Sequence, residues 1–303
     1  MFLYLPVALT SVSTLIILGI GLGIGLLSGL FGVGGGFLIT PILMMLGIPP
    51  TVAAASGANQ MVAASASGTY THWKLGNVDF KMGFYLLIGS FIGGFLGVYA
   101  IAMLKAMGNA DFIIRLTYVL IPLTVGSYMV VEGVQSMKRA KKGEENKSPK
   151  KESGFKKFLK TWPFQTDFEK SGVRHSALLP VVIGILVGIL AAIMGVGGGF
   201  IMVPIMLYVL DMPILVIVGT SLFQILFTVI EVTFLSAYTN HTVDIALALL
   251  MLFGSSIGAQ IGTIISKKMD AEQLKVLLAL LIIAVGVKVL SELTLNPSIH
   301  LAL

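Results

Sequence analysis

The chain has 303 residues, 56% hydrophobic and 11% charged, with a mean hydropathy of +0.96 and a formal net charge of +6. Soluble domains carry about 25% charged residues, so this composition excludes a soluble globular protein and predicts an integral membrane protein with several spans. Cysteine is absent and histidine is confined to positions 72, 175, 241 and 300. That removes disulfides, thiolate metal sites and a cysteine nucleophile, and leaves little for metal-centred chemistry. No metal or other cofactor is expected.

Residues 1–9 have no positively charged leader, and the apolar run continues from them without a cleavage-like site. They read as part of a retained first span and not as a signal peptide. The first apolar run, 7–31, is long enough to cross about 30 Å of hydrocarbon at roughly 1.5 Å per residue. Gly21, Gly25 and Gly29 recur every fourth residue, a small-residue face suited to close helix contact. The run is interrupted by Gly32-Val33-Gly34-Gly35-Gly36-Phe37, with Pro41 after it. Four glycines in five residues cannot hold a firm helix, since each costs about 1 kcal/mol relative to alanine. A short apolar piece, 36–47, follows and stops at Pro49-Pro50.

Residues 51–73 form a helix rich in small and polar residues, including Ser56, Asn59, Gln60, Ser65 and Ser67. Such a helix belongs inside a bundle and not against lipid. Two spans follow, 80–104 (with Gly89, Gly93 and Gly97 on one face) and 113–136. Residues 137–176 hold twelve Lys and Arg against five acids, a local charge of +7 that leaves −1 for the rest of the chain. This is a topology signal for a cytoplasmic linker, not a nucleic-acid surface, because it lies in a single loop between spans. Within it, Phe155, Phe158, Leu159 and Trp162 fall at i, i+3, i+4 and i+7 among lysines. The stretch 155–162 therefore reads as an amphipathic segment for an anionic lipid surface.

Then the pattern begins again. The apolar run 177–194 carries Gly184 and Gly188. It is broken by Gly195-Val196-Gly197-Gly198-Gly199-Phe200 with Pro204 after it, 163 residues from the first copy. A short piece 199–210, a span 214–239 bearing Thr220, Ser221, Gln224, Thr228 and Glu231, a span 244–266 with Gly254, Gly258 and Gly262, and a last span 273–293 complete the chain. Val78-Asp79 matches Val243-Asp244, and Gly89-Ser90 matches Gly254-Ser255. The expected architecture is all-α: membrane repeat 1 over 1–136, the basic linker over 137–176, and membrane repeat 2 over 177–303.

Lysine positions bear on the relation between the repeats. If each short piece counts as a crossing, each repeat has five elements and the pair is inverted. The Lys74–Lys81 loop and Lys267–Lys268 then share the linker's side, as the positive-inside rule prefers. Without those crossings the repeats are parallel, and Lys267 and Lys268 fall outside. Lys105 and Arg115 lie outside in both schemes. Five plus five, inverted, is the reading adopted.

Paired helix breaks in an apolar chain point to a transport site. A helix start offers unpaired N–H groups and about half a positive charge. Two such starts meeting at the midplane would bind an anion, and no basic residue lies centrally in any span. The candidate binding residues are Gly34, Gly35, Gly36, Asn59, Gln60, Gly197, Gly198, Gly199, Thr220, Ser221 and Gln224. Glu231, about eight residues inside its span, is a candidate for proton coupling, with a structural hydrogen bond as the alternative. His72, beside Trp73 and Lys74, reads as an interfacial anchor. The glycine element is not a nucleotide loop, since no strand precedes it and no Lys-Ser/Thr follows.

The duplicated GVGGGF…P element, the polar helix after it and the Val-Asp opening of a glycine-rich span resemble the TauE/SafE family of sulfite and organosulfonate exporters. The resemblance covers 7–136 and 177–293. It implies an ATP-independent inner-membrane carrier of a small anion, sulfite, a sulfonate or a related sulfur-containing acid. The second copy has Gly219-Thr220-Ser221, near the family's usual Gly-Thr-Ser; the first departs from it with Ser56-Gly57-Ala58-Asn59. Two other readings compete with the carrier: an anion channel using the same helix starts, and an intramembrane enzyme built on Ser65 or Ser67 with His72.

Overall fold

The computed structural model describes residues 2–7, 9–141, 162–241, 243–266, 269 and 271–295. Lys267, Lys268 and nearly all of the amphipathic stretch 155–162 lie outside these residues. Among the described residues the first half comprises a hairpin of β1 (Phe2–Leu5) and β2 (Thr10–Ser13), then α1 (Thr14–Phe31), α2 (Gly36–Met45), α3 (Pro50–Lys74), α4 (Phe80–Ala106) and α5 (Ala110–Lys141). The second half comprises a hairpin of β3 (Gln165–Phe168) and β4 (Val173–Ser176), then α6 (Leu178–Met194), α7 (Gly199–Tyr208), α8 (Ile214–Leu235) continued by a π-turn (Ser236–Asn240), α9 (Ile245–Ser266) and α10 (Ala271–Leu295). Five helices (14–31, 80–106, 110–131, 214–240 and 245–266) are long and apolar enough to cross a membrane. Large apolar side chains such as Phe84, Phe234 and Phe253 cover the outer surface. The protein is an all-α integral membrane protein.

The structure corrects one expectation from the sequence and adds detail to another. The apolar run from residue 7 does not enter the first span directly, because 10–13 pair antiparallel with 2–5 and the helix starts at Thr14. The segment 137–176 carries regular structure at both of its ends. Its first five residues continue α5, and 165–176 form the second hairpin, with Gly172 at φ 64° in the turn donating its N–H to the Phe168 carbonyl at 2.8 Å.

Both hairpins are tied to the helices by a carboxylate from the other half. Asp79 caps α4 by accepting from the Met82 N–H at 2.9 Å, and its other oxygen accepts from the Ser171 N–H at 3.1 Å and from the Ser171 hydroxyl. Asp244 accepts from the Leu247 N–H at 3.2 Å and from the Val7 N–H at 3.0 Å. The two aspartates also donate their own N–H groups across the molecule, Asp79 to Thr220 Oγ1 at 2.9 Å and Asp244 to Ser56 Oγ at 3.1 Å. Both carboxylates are almost fully buried, and charge-assisted bonds of this kind offset the cost of that burial.

The six most extensive helix seams all join one half to the other: α1 with α9, α4 with α6, α5 with α10, α3 with α8, α3 with α9, and α4 with α8. The glycine faces make two of these seams. A Cβ on Gly25 would lie 2.5 Å from the Ser255 Cα, and one on Gly188 would lie 2.5 Å from the Ser90 carbonyl oxygen. Only hydrogen fits there, so the helix backbones touch directly. Among the described residues each half packs most extensively against the other.

Contacts along the seams also fix helix directions. Asp79, Gly94 and Lys105 of α4 meet Thr220, Glu231 and Asn240 in that order, so α4 and α8 run the same way. Gly21, Gly25 and Gly29 meet Met251, Ser255 and Ala259, so α1 and α9 do too. By contrast Gly68 meets Leu222 and Gly219 meets His72, so α3 and α8 run oppositely. Gly36 meets Met61 and Gly57 meets Ile39, so α2 runs back along α3.

Candidate functional site

Each break is built by the same backbone device. α1 ends at Gly32 (φ 69°), whose N–H bonds the Ser28 carbonyl at 2.9 Å; α6 ends at Gly195 (φ 67°), bonding Ala191 at 2.8 Å. The second and third glycines carry the positive φ that turns the chain into the next helix: Gly34 and Gly35 at 74° and 75°, Gly197 and Gly198 at 63° and 78°. A left-handed residue with a side chain costs about 1–2 kcal/mol there. Gly36 and Gly199 are different. Their φ is ordinary, and what excludes a side chain is the opposite break: a Cβ on Gly36 would lie 2.8 Å from the Val196 Cα, and one on Gly199 would lie 2.5 Å from the Val33 carbonyl oxygen.

The two breaks therefore meet. Gly34, Gly35, Gly36, Gly197, Gly198 and Gly199 are all buried within one locus, where α2 and α7 both begin. Phe37 and Phe200, the first aromatic residues of the two short helices, stack there with ring centroids 5.5 Å apart. Ser221 joins the locus by donating its hydroxyl to the Gly32 carbonyl at 2.8 Å. Tyr118 of α5 braces the second break by donating to the Met194 carbonyl at 2.8 Å.

The remaining polar candidates divide. Gln60 is fully buried, and neither its amide oxygen nor its amide nitrogen has a hydrogen-bond partner among the described residues. Gln224, at the matching position of α8, donates to Ser90 Oγ and Thr228 Oγ1, both at 2.8 Å, and its amide oxygen is unpartnered. Thr220 does not reach the break, because its hydroxyl is held by the Asp79 N–H. Asn59 is only half-buried on α3. Glu231 sits apart from the breaks, in the seam of α8 and α4, with its Oε2 2.8 Å from where a Cβ of Gly94 would lie. That oxygen is buried without a hydrogen-bond partner among the described residues.

His72 is corrected from an interfacial anchor to a buried residue, 1% exposed and packed on Gly219, while Trp73 beside it is 57% exposed. Ser65 and Ser67 stand about 10 and 8 Å from it along the axis of α3, and a nucleophile must lie within about 3 Å of its base.

Two residues at the centre carry no sequence signal of function. Met61 and Ile225, matched in position on α3 and α8, are fully buried and fill the concavities the glycines leave. Met61 reaches both breaks: its sulfur lies against Gly36, and its methyl would be 2.7 Å from a Cβ on Gly197. Ile225 does the same, at 3.1 Å from such a position on Gly34 and 2.5 Å on Gly199. Their place one residue after Gln60 and Gln224 is the only mark that could have drawn attention to them.

Matched breaks meeting at a common locus, between polar helices from both halves, are what a membrane transporter of duplicated design requires. Residues 17–289 match the Sulfite exporter TauE/SafE family. The chain belongs to that family. It is 27% identical to the probable membrane transporter protein YunE of Bacillus subtilis (strain 168), over 92% of this chain and 98% of the relative. It is also 27% identical to the probable membrane transporter protein YjnA of the same organism, over 89% and 97% of the two chains. A probable membrane transporter protein of Methanocaldococcus jannaschii is 25% identical over 88% of this chain and 91% of its own length. No solved structure matches. These three relatives are named as probable membrane transporters, and the match covers 98%, 97% and 91% of their lengths.

Proposed function

We propose that the protein is a secondary transporter that exports a small anion, sulfite, a sulfonate or a related sulfur-containing organic acid, by alternating access. The observation that carries this reading is the meeting of the α2 and α7 starts, with the fully buried Gln60 and Gln224 one residue before the Met61 and Ile225 that touch both breaks. Gln60 and Gln224 leave three of their four amide atoms unpartnered among the described residues. A buried unsatisfied polar group costs about 1–3 kcal/mol, and of these three atoms Gln60 Nε2 is the donor that an anion could satisfy. An anion lying between the breaks would accept from the N–H groups at the starts of α2 and α7 and from the Gln60 amide. Gly34 to Gly36, Gly197 to Gly199, Gln60, Ser221 and Gln224 form this site; Asn59 and Thr220 lie at its margin.

The two halves are read as inverted repeats. α3 and α8 occupy matching places and run oppositely, and α2 returns the chain along α3, which makes five alternating elements per half. Rocking of one set against the other about a central site is the motion such a pair supports. A carrier is favoured over a channel because Met61 and Ile225 fill the centre. Glu231 is the proton-coupling candidate, and residues 137–176 are read as facing the cytoplasm from an inner (plasma) membrane.

The test is a thermal-shift screen of the purified protein against sulfite, alkanesulfonates, sulfate and carboxylates, followed by counterflow in proteoliposomes. Stabilisation by a sulfur oxyanion with saturable, trans-stimulated flux is expected. Absence of stabilisation by every anion would defeat the central site, and conductance far above carrier rates would defeat the carrier. Glu231→Gln should abolish the response of flux to an imposed proton gradient while leaving anion stabilisation in place.

A further inference from the structure

We propose that Met61 and Ile225 form a two-side-chain apolar plug that occludes the anion site between the breaks and sets the size of the anion admitted. This rests on the anion-carrier reading. Both side chains are 0% exposed, both lie between the two breaks, and together they touch Gly34, Gly36, Gly197 and Gly199. These glycines lead into the first turns of α2 and α7, where Leu38 and Ile201 already donate to the Gly35 and Gly198 carbonyls at 3.1 Å, and the N–H groups of Gly36, Phe37, Gly199 and Phe200 are the ones a helix start leaves without an intrahelical acceptor. Thioether and hydrocarbon satisfy none of those donors. The closed arrangement thus sets apolar groups against two positive helix ends, one residue along α3 from the unpartnered Gln60 amide. An anion that displaces the plug would accept from those N–H groups and from Gln60 Nε2, the unpartnered amide donor of the pair. That is a differential affinity between closed and open states, which is what a substrate needs to drive a conformational change.

The two members of the plug are mechanically unlike. Methionine is unbranched and rotates about three bonds with little penalty, whereas a β-branched isoleucine on a helix is held in essentially one χ1 rotamer. Met61 is therefore the moving half and Ile225 the fixed wall. The volume cleared when Met61 swings aside bounds the organic portion of the anion, while its oxygens take the N–H groups.

The experiment measures flux of sulfite, methanesulfonate, ethanesulfonate and butanesulfonate into proteoliposomes containing wild type, Met61→Ala or Ile225→Val. For Met61→Ala, the butanesulfonate-to-sulfite ratio is expected to rise at least tenfold; for Ile225→Val, which removes a single methyl group, about two- to threefold. Wild-type anion flux with an unchanged ratio in both variants overturns the plug and leaves the anion site standing. A wild type that moves none of the four anions overturns the anion reading instead. Occlusion itself is read without any substrate. The chain has no cysteine, so Gln60→Cys supplies a single thiol, and its labelling by a water-soluble thiol reagent should be at least tenfold faster when combined with Met61→Ala or, should that variant not fold, measurably faster with Ile225→Val. Equal labelling rates in the plugged and unplugged proteins overturn the proposal.

Discussion

The two halves match closely where backbones meet and differ where side chains do. Asp79 and Asp244 cap equivalent helices, hold the opposite hairpin, and donate to equivalent hydroxyls on α8 and α3. The glutamines about one turn further along α3 and α8, Gln60 and Gln224, do not match. Gln224 bonds Ser90 and Thr228, whereas at the position matching Thr228 the first half has Ala64, which offers no hydroxyl. Ser255, the counterpart of Ser90, turns its hydroxyl toward the Gln60 and Leu252 carbonyls. The geometry that aligns the breaks is thus kept in duplicate, while the chemistry beside them has diverged, with the first half holding the freer amide.

The equivalence is broken most severely at the seams. Gly25→Leu and Gly93→Leu each force a side chain into a backbone contact, at α1 against α9 and α4 against α6. Overpacking typically costs about 1–3 kcal/mol and here meets backbone that cannot give way, so neither variant should be recovered as folded protein from detergent. Gly23→Leu, with nothing within 4 Å, is the control and should behave as wild type. Survival of one seam variant and loss of the other would show that the two seams are not energetically equivalent.

The capping carboxylates come next. Asp79→Ala and Asp244→Ala each lose a helix cap, worth about 1 kcal/mol, and a charge-assisted bond to a hairpin, worth about 1.5–3 kcal/mol. Asp79→Ala should lower the melting temperature further, because Ser171 adds a hydroxyl bond that neither Val7 nor Ala8 has a side-chain group to make. Ser171→Ala, at about 1 kcal/mol, should remove most of that difference. Thr228→Ala gives the second half the residue of the first and leaves Gln224 with a single partner. A loss of about 1 kcal/mol is expected, read as a lower melting temperature. No change would mean that the Thr228 hydroxyl does not support the amide.

The breaks, the glycine seams and the buried polar helix were legible in the sequence because each rests on a residue type whose physics is local. Glycine permits positive φ and close approach wherever it sits, and a Ser-Asn-Gln-rich helix is costly against lipid. The hairpins were not legible. Four-residue strands at 2–5 and 10–13 carry too short a pattern to compete with the apolar run they adjoin, and what anchors them is an aspartate more than two hundred residues away. Met61 and Ile225 were invisible for the opposite reason: apolar residues on a membrane helix are the default, and only the meeting of the breaks gives these two a place. The burial of His72 was likewise set by Gly219, which lets α8 approach.

The smallest expected effect concerns Glu231. The positions matching Glu231 and Gly94 in the other halves are Ser67 and Ala259, so a long side chain faces a glycine in one seam while a short one accompanies alanine in the other. Replacing an interior helical glycine by alanine gains about 1 kcal/mol of helix propensity. In the wild type, Gly94→Ala meets the Glu231 carboxyl at 2.8 Å, and displacing the end of that flexible chain should cancel the gain. In a Glu231→Ser background nothing opposes it, and Gly94→Ala should stabilise by about 1 kcal/mol. Melting temperatures of the four proteins close the cycle. A coupling of about 0.5–1 kcal/mol would show that Gly94 is glycine to accommodate the carboxyl. An equal gain in both backgrounds would mean that α4 tolerates a Cβ there regardless, and that Glu231 does not depend on it for its position.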